Sequence, residues 1–104
     1  MKQIAVIFFA FFTLIAGVQA GENAEGEIWI DVRTVAEYQR GHKADAINIP
    51  HTAIGQRITQ VTTDKGAKIH LYCAVGMRAG MAKATLERMG YTNVSNEGGL
   101  SDVQ

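Results

Sequence analysis

Two rhythms of apolar and polar positions run along this chain, one of period two and one of helical period, and between them they predict its elements. Ile28-Trp29-Ile30-Asp31-Val32 is β-branched and aromatic, a strand from whose carboxyl end Asp31 and Arg33 emerge. Thr34-Val35-Ala36-Glu37 has the spacing of a capping box, with Thr34 as N-cap and Glu37 reaching back, so a short helix should run to about Gly41. Ala46 to Pro50 reads as a second strand, stopped by its proline. Ile54, Ile58 and Val61 mark the inner face of a second helix, which Gly55 weakens. A turn at Thr62 to Gly66 precedes Ile69-His70-Leu71-Tyr72, a short buried strand that leads into Cys73. Residues 79–89 are rich in helix formers and place Ala79, Ala82, Leu86 and Met89 on one face, with Gly90 positioned to end the helix. Thr92 to Ser95 is a last short strand, and Gly98-Gly99-Leu100 closes the pattern.

Strands alternating with helices at this spacing predict an α/β fold, a central parallel β-sheet flanked by helices on both faces, in one small domain spanning residues 27–104. Ligands bind such sheets at the carboxyl ends of the strands, where Asp31, Arg33 and Cys73 all emerge.

The start of the chain changes the picture of where the protein works. Lys2 is followed by an uncharged apolar run from Ile4 to Ala16, and Val18-Gln19-Ala20 offers small residues where a signal peptidase reads. Residues 1–20 are therefore expected to be a secretory signal peptide cut after Ala20, and residues 21–26 a disordered lead-in. The alternative is an uncleaved membrane anchor, because the run approaches the ~20 residues that a spanning helix needs. Cleavage predicts a periplasmic domain of 84 residues with no remaining membrane contact, and loss of Lys2 takes the formal charge from 0 to −1. A balance so close to neutral gives neither nucleic acid nor an acidic membrane surface as a partner, and a monomer is expected. Proteins exported to an oxidising space usually pair their cysteines, but this chain has one. A single thiol there signals reactivity or intermolecular pairing, not an internal disulfide.

Cys73 stands where a strand ends and a helix begins. A helix N-terminus presents amides without intrahelical partners and the positive end of the macrodipole. None of Ala74, Val75, Gly76, Met77 and Arg78 is proline, so five consecutive amides can turn toward the sulfur, and Gly76 can adopt positive φ to close the ring. Such a cradle favours an anion, and Arg78 adds a permanent charge; the expectation is a nucleophilic thiolate whose donors also hold an anionic adduct. A buried small hydrophobe is the competing reading of a lone cysteine. Asp31 is expected to be a structural carboxylate bonded to a backbone donor or an arginine, and Arg33 to guide anions or pair with Glu37. His42 is read as a hydrogen-bonded structural histidine, and core packing is the default for Met77 and Met81, with an apolar rim at the loop as the alternative. His51 and His70 lack partners at ligand spacing, so no metal site is expected, and no cofactor.

Three ordered pieces then carry a resemblance: Asp31-Val32-Arg33 followed by Glu37-Tyr38; Gly41-His42 through Ala46-Ile47-Asn48-Ile49-Pro50; and Cys73-x-x-Gly76-x-Arg78 with Gly98-Gly99 near the end. Together they resemble the rhodanese sulfurtransferase family, in its minimal secreted single-domain form, over Ile28 to Val103. The resemblance implies that Cys73 takes a sulfane sulfur from a small anionic donor such as thiosulfate, becomes a persulfide and passes the sulfur to a thiophile such as cyanide or a thiol. It implies further that the amides of Ala74 to Arg78 hold the outer sulfur, and that Arg78 steadies the donor or the leaving sulfite. The six-residue loop from Cys73 to Arg78 has the length the family uses for sulfur transfer, whereas phosphatase-like relatives use seven. Asp45 stands where the family usually has glycine, and aspartate tolerates the left-handed region better than most residues. A different class of function is a non-catalytic sulfur carrier or stress-related interaction module, in which the loop binds a partner and turnover is incidental.

Overall fold

The computed structural model describes residues 26–104; the expected signal segment and residues 21–25 of the lead-in lie outside the described residues. Among the described residues no helix is long and apolar enough to cross a membrane. Four strands, β1 (Ile28–Asp31), β2 (Ile47–Asn48), β3 (Ile69–Cys73) and β4 (Val94–Gly99), form one parallel sheet in the order β2-β1-β3-β4. Helices flank it: α1 (Val35–Gln39), α2 (Ile54–Arg57), α3 (Met77–Arg88) and α4 (Leu100–Val103).

The core follows the apolar rhythm. Ile28 and Ile30 of β1, Ile69 and Leu71 of β3, and Ala79, Ala82 and Leu86 of α3 are all buried in one cluster, joined by Ile54 and Ile58. Met89 and Val61 pack against its edge. The helix expected around Ile54 is broken into a 3₁₀ turn at His51–Ala53, the single α turn of α2 and a second 3₁₀ turn at Ile58–Gln60. Gly55 sits close under α3, where a Cβ would lie 3.3 Å from the Thr85 methyl, so the segment gains contact at the cost of helical regularity.

Two helix boundaries show their causes directly. Thr34 and Glu37 form the capping box at α1, the Glu37 amide donating to Thr34 Oγ1 at 3.2 Å and the Thr34 amide to Glu37 Oε1 at 2.9 Å. At the far end of α3, Gly90 at φ +101° donates to Glu87 O and Tyr91 donates to Leu86 O, the paired bonds of a Schellman stop. Asp45 is the one non-glycine residue at positive φ among the described residues, at +73°, in the turn before β2.

The connections determine where a ligand can enter. The chain leaves β1 toward β2 on one side and leaves β3 toward β4 on the other, so the carboxyl ends of the adjacent strands β1 and β3 form the switch point of the sheet. Asp31 ends one strand and Cys73 the other.

Candidate active site

β3 delivers Cys73 into the interior, with 1 % of the residue exposed, and the chain then turns through Ala74 and Val75 to Gly76. Gly76 takes φ +101°, ψ −15° as the N-cap of α3, a conformation that any β-carbon would penalise. That turn points the helix start back at the sulfur: Cys73 Sγ accepts hydrogen bonds from the Gly76 amide at 2.9 Å and the Ala79 amide at 3.3 Å. Of the five amides from Ala74 to Arg78, only Gly76 donates to the thiol itself, and Ala79, which lies outside that set, supplies the second bond. Met77 and Arg78 occupy the first two positions of α3, so their amides have no partner inside the helix.

The loop is held from below by the end of β4, which runs further than the Thr92–Ser95 strand that its apolar residues suggested. Leu71 pairs with Asn96 but Cys73 pairs with Gly99, so a β-bulge lifts the double glycine against the loop. A Cβ on Gly99 would lie 2.1 Å from Ala74 O, which is why only glycine fits. Asn96 Nδ2 donates to Gly76 O at 2.9 Å and Asn96 Oδ1 accepts from the Gly98 amide at 2.9 Å, tying the loop to the strand. Asp102 of α4 accepts from the Gly99 amide at 2.8 Å. The sequence reading missed Asn96 and Asp102; the Asn96-x-Gly98-Gly99 spacing was the available signal, a polar side chain beside residues that permit close backbone approach.

The two arginines choose partners that local spacing did not give. Arg33 is expected to guide anions or pair with Glu37, and the pairing with Glu37 is not what the structure shows. Its guanidinium grips the fully buried Asp31 through Nε at 3.0 Å and Nη2 at 2.7 Å, and Nη2 also donates to Gly41 O at 2.7 Å. The Asp31 bonds hold the Arg33 guanidinium's pKa above its ordinary value against the opposing effect of burial. Asn48 Nδ2 donates to the carbonyls of Asp31 and Arg33, both at 3.0 Å, so the ends of β1 and β2 form one bonded unit. Asp31 thus has both expected kinds of partner, a backbone donor and an arginine, and Arg33 supplies them both.

Glu37 instead pairs with Arg78 across the fold, Oε1 to Nη1 at 2.8 Å and Oε2 to Nη2 at 3.1 Å. The Arg78 hydrogen bonds, with those from Thr34, pull the Glu37 carboxyl down to about 2. The same pair raises Arg78. Arg78 therefore stands beside the thiol with both terminal nitrogens committed to a carboxylate.

Core packing, the default for Met77 and Met81, is not what the structure shows. Met77 is 74 % exposed, Met81 55 % and Val75 82 %, because α3 turns its alanine face inward and its methionines outward. His42 is hydrogen-bonded through Nδ1 to Tyr38 O at 2.8 Å and stacked on the Tyr38 ring. His70 lies between Glu27 and Glu97, on the Trp29 ring, away from the Cys73 loop.

Comparison with known proteins places this geometry. The family model described as "Rhodanese-like domain" matches residues 16–104. Thiosulfate sulfurtransferase PspE of Escherichia coli is 46 % identical over 77 residues, covering 74 % of each chain. A sulfurtransferase of Allochromatium vinosum is 34 % identical over 79 residues, covering 75 % of this chain and 72 % of that one. The solved structure described as "rhodanese with anions from E. coli" superposes with a TM-score of 0.72 at 45 % identity, covering 74 % of this chain and 91 % of its own. With a family match over most of its length, a related fold and a cysteine at the switch point of a parallel sheet, the chain belongs to the rhodanese-like domain family.

Proposed function

We propose that the protein is a sulfurtransferase that moves a sulfane sulfur from thiosulfate or a similar donor to cyanide or another thiophile through a persulfide on Cys73. The observation that carries this reading is the thiol held by the Gly76 and Ala79 amides at the start of α3. Names borne by relatives, thiosulfate sulfurtransferase and sulfurtransferase, support the same chemistry.

In the first half-reaction the Cys73 thiolate attacks the outer sulfur of thiosulfate, the sulfur–sulfur bond breaks, and sulfite leaves with the electron pair. In the second, a thiophile takes the outer sulfur from Cys73 and the thiolate is restored. Fixed amide dipoles of Ala74, Val75, Gly76, Met77 and Arg78 stabilise the charge on the outer sulfur without having to reorganise. Arg78 acts in this reading mainly through its grip on Glu37, which locks the start of α3 to α1. The partners are a small anionic donor and a thiophilic acceptor, taken up by a monomeric domain exported to the periplasm after removal of residues 1–20.

Intact mass spectrometry after incubation with thiosulfate tests the reading. The protein should gain the mass of one sulfur atom, localised to Cys73 and removed by cyanide; Cys73→Ala should gain nothing. No gain on the wild-type chain would refute it.

A further inference from the structure

His70 is a buried titratable residue that sulfur transfer does not use. It lies in register with Trp29 of β1 and Ser95 of β4, so the three side chains share the sheet face opposite the apolar cluster of Ile28, Ile30, Ile69 and Leu71. Its ring stacks on the Trp29 indole with centroids 4.2 Å apart. Both ring nitrogens meet carboxylates: Nε2 is 2.5 Å from Glu27 Oε1, and Nδ1 is 2.7 Å from Glu97 Oε2. Ser95 Oγ stands 3.4 Å from Nδ1 but donates its one proton to Glu97 Oε2 at 2.6 Å, so it cannot also donate to the ring. A carboxylate only accepts and a neutral imidazole has a single N–H, so a neutral ring would set one of its lone pairs against a carboxylate.

We infer that His70 is held as the imidazolium and forms a pH-sensitive clasp, which joins Glu27, just before β1, to Glu97 of β4 and opens when alkaline pH removes the ring proton. The Ser95 and His70 bonds hold the Glu97 carboxyl below its ordinary value, so the β4 side of the clasp is anionic. Two cations oppose the ring charge: Lys43 Nζ, 4.3 Å from the Trp29 ring centroid, and Lys68, which acts on Glu97 by its charge alone. The remaining polar groups nearby are engaged elsewhere, Asp31 with Arg33, Tyr72 with the Lys43 amide, and Asp102 of α4 with the Gly99 amide. Because only the folded chain fixes two carboxylates on the ring, the clasp contributes fully at about pH 6.5, the ordinary value of an unfolded histidine, and is lost as pH rises through the titration of the folded protein. On the acid side it lasts until Glu97 is protonated, below its ordinary 4.5. Glu97 lies between Asn96 and Gly98, whose bonds support the Cys73 loop, so the clasp steadies that strand from the opposite face.

Trp29 is the only tryptophan in the chain, and an imidazolium stacked on an indole quenches its emission more than a neutral ring does. Emission of the wild-type protein should therefore rise in one step with its midpoint above about pH 6.5, and His70→Gln should show no step. The urea midpoint of wild type should exceed that of His70→Gln at about pH 6, with the gap closing through the same step. Glu97→Gln, at a partly exposed position, should move the emission step to lower pH. Should His70→Gln fail to fold, ring-nitrogen NMR of the wild-type protein decides alone: both His70 nitrogens should carry protons at about pH 7. An unprotonated ring nitrogen there, an emission step at or below about pH 6.5 or left in place by Glu97→Gln, or a urea-midpoint gap that does not change with pH would overturn the inference.

Discussion

Replacing Gly99 by alanine tests whether the end of β4 sets the position of the thiol loop. The backbone at Gly99 is extended, φ −106° and ψ 173°, so alanine meets no conformational penalty there and the whole effect must come from contact. An added Cβ would lie 2.1 Å from Ala74 O, 2.9 Å from Ala74 C and 3.3 Å from the Val75 Cα. Ordinary contact begins at 3.4 Å, so strand and loop must separate by about 1 Å, and every atom in the way is backbone. Overpacking of this kind costs about 1–3 kcal/mol, which for a domain of this size lowers Tm by roughly 5–20 °C. A shift of about 1 Å in the loop also moves the Gly76 amide off the sulfur, and misplacement on that scale costs about 10²-fold in rate. Thermal unfolding and the rate of thiocyanate release from thiosulfate and cyanide would report the two effects separately. Gly80→Ala is the contrast: it sits within α3, its Cβ would meet Asn96 Nδ2 at 3.5 Å, and it should be neutral or stabilising by about 0.5–1 kcal/mol. If Gly99→Ala kept wild-type Tm and rate, the claim that the double glycine supports the loop would be wrong.

Other outcomes follow from the same contacts. Asn96→Ala removes the bonds to Gly76 O and the Gly98 amide and should cost about 1–2 kcal/mol by urea unfolding, with turnover falling more than stability alone explains. Asp31→Asn leaves the Arg33 guanidinium buried without its counter-charge and should cost about 3–5 kcal/mol, seen as loss of the folded state or a large fall in unfolding midpoint. Glu37→Gln should destabilise by about 1 kcal/mol at neutral pH, the worth of a partly buried bidentate pair. Because the Glu37 carboxyl is lowered from 4.5 to about 2, the wild-type advantage over Glu37→Gln should be complete above pH 4.5 and disappear as pH falls toward 2. Unfolding curves of both proteins across that window would show a constant difference instead if the pair contributed nothing.

Much of the site was legible because it is local. A strand-forming run ending at Cys73, a glycine three residues on and a helix-forming run after it define the loop within one stretch of chain. The Thr34–Glu37 capping box and the left-handed Asp45 are likewise decided by near neighbours, and the inward face of α3 by its alanines and Leu86. What sequence spacing did not show is set by tertiary contact. Glu37 lies four residues from Arg33 and 41 from Arg78, yet the fold gives it Arg78 because Asp31, two residues away on the strand end, captures Arg33 first. The methionines were ambiguous because α3 has apolar residues on more than one side, and only packing against the sheet tells which side is covered. The length of β4 was hidden because Asn96, Glu97 and the glycines have low strand propensity, and neighbouring β3 supplies the pairing.

In the proposed reaction Cys73 carries the sulfur between two separate half-reactions. Protein treated with thiosulfate, freed of donor by gel filtration and then mixed with cyanide should release one thiocyanate per chain in a single turnover, with sulfite already liberated in the first step. Thiocyanate that forms only while thiosulfate and cyanide are present together, with none from the isolated protein, would contradict it.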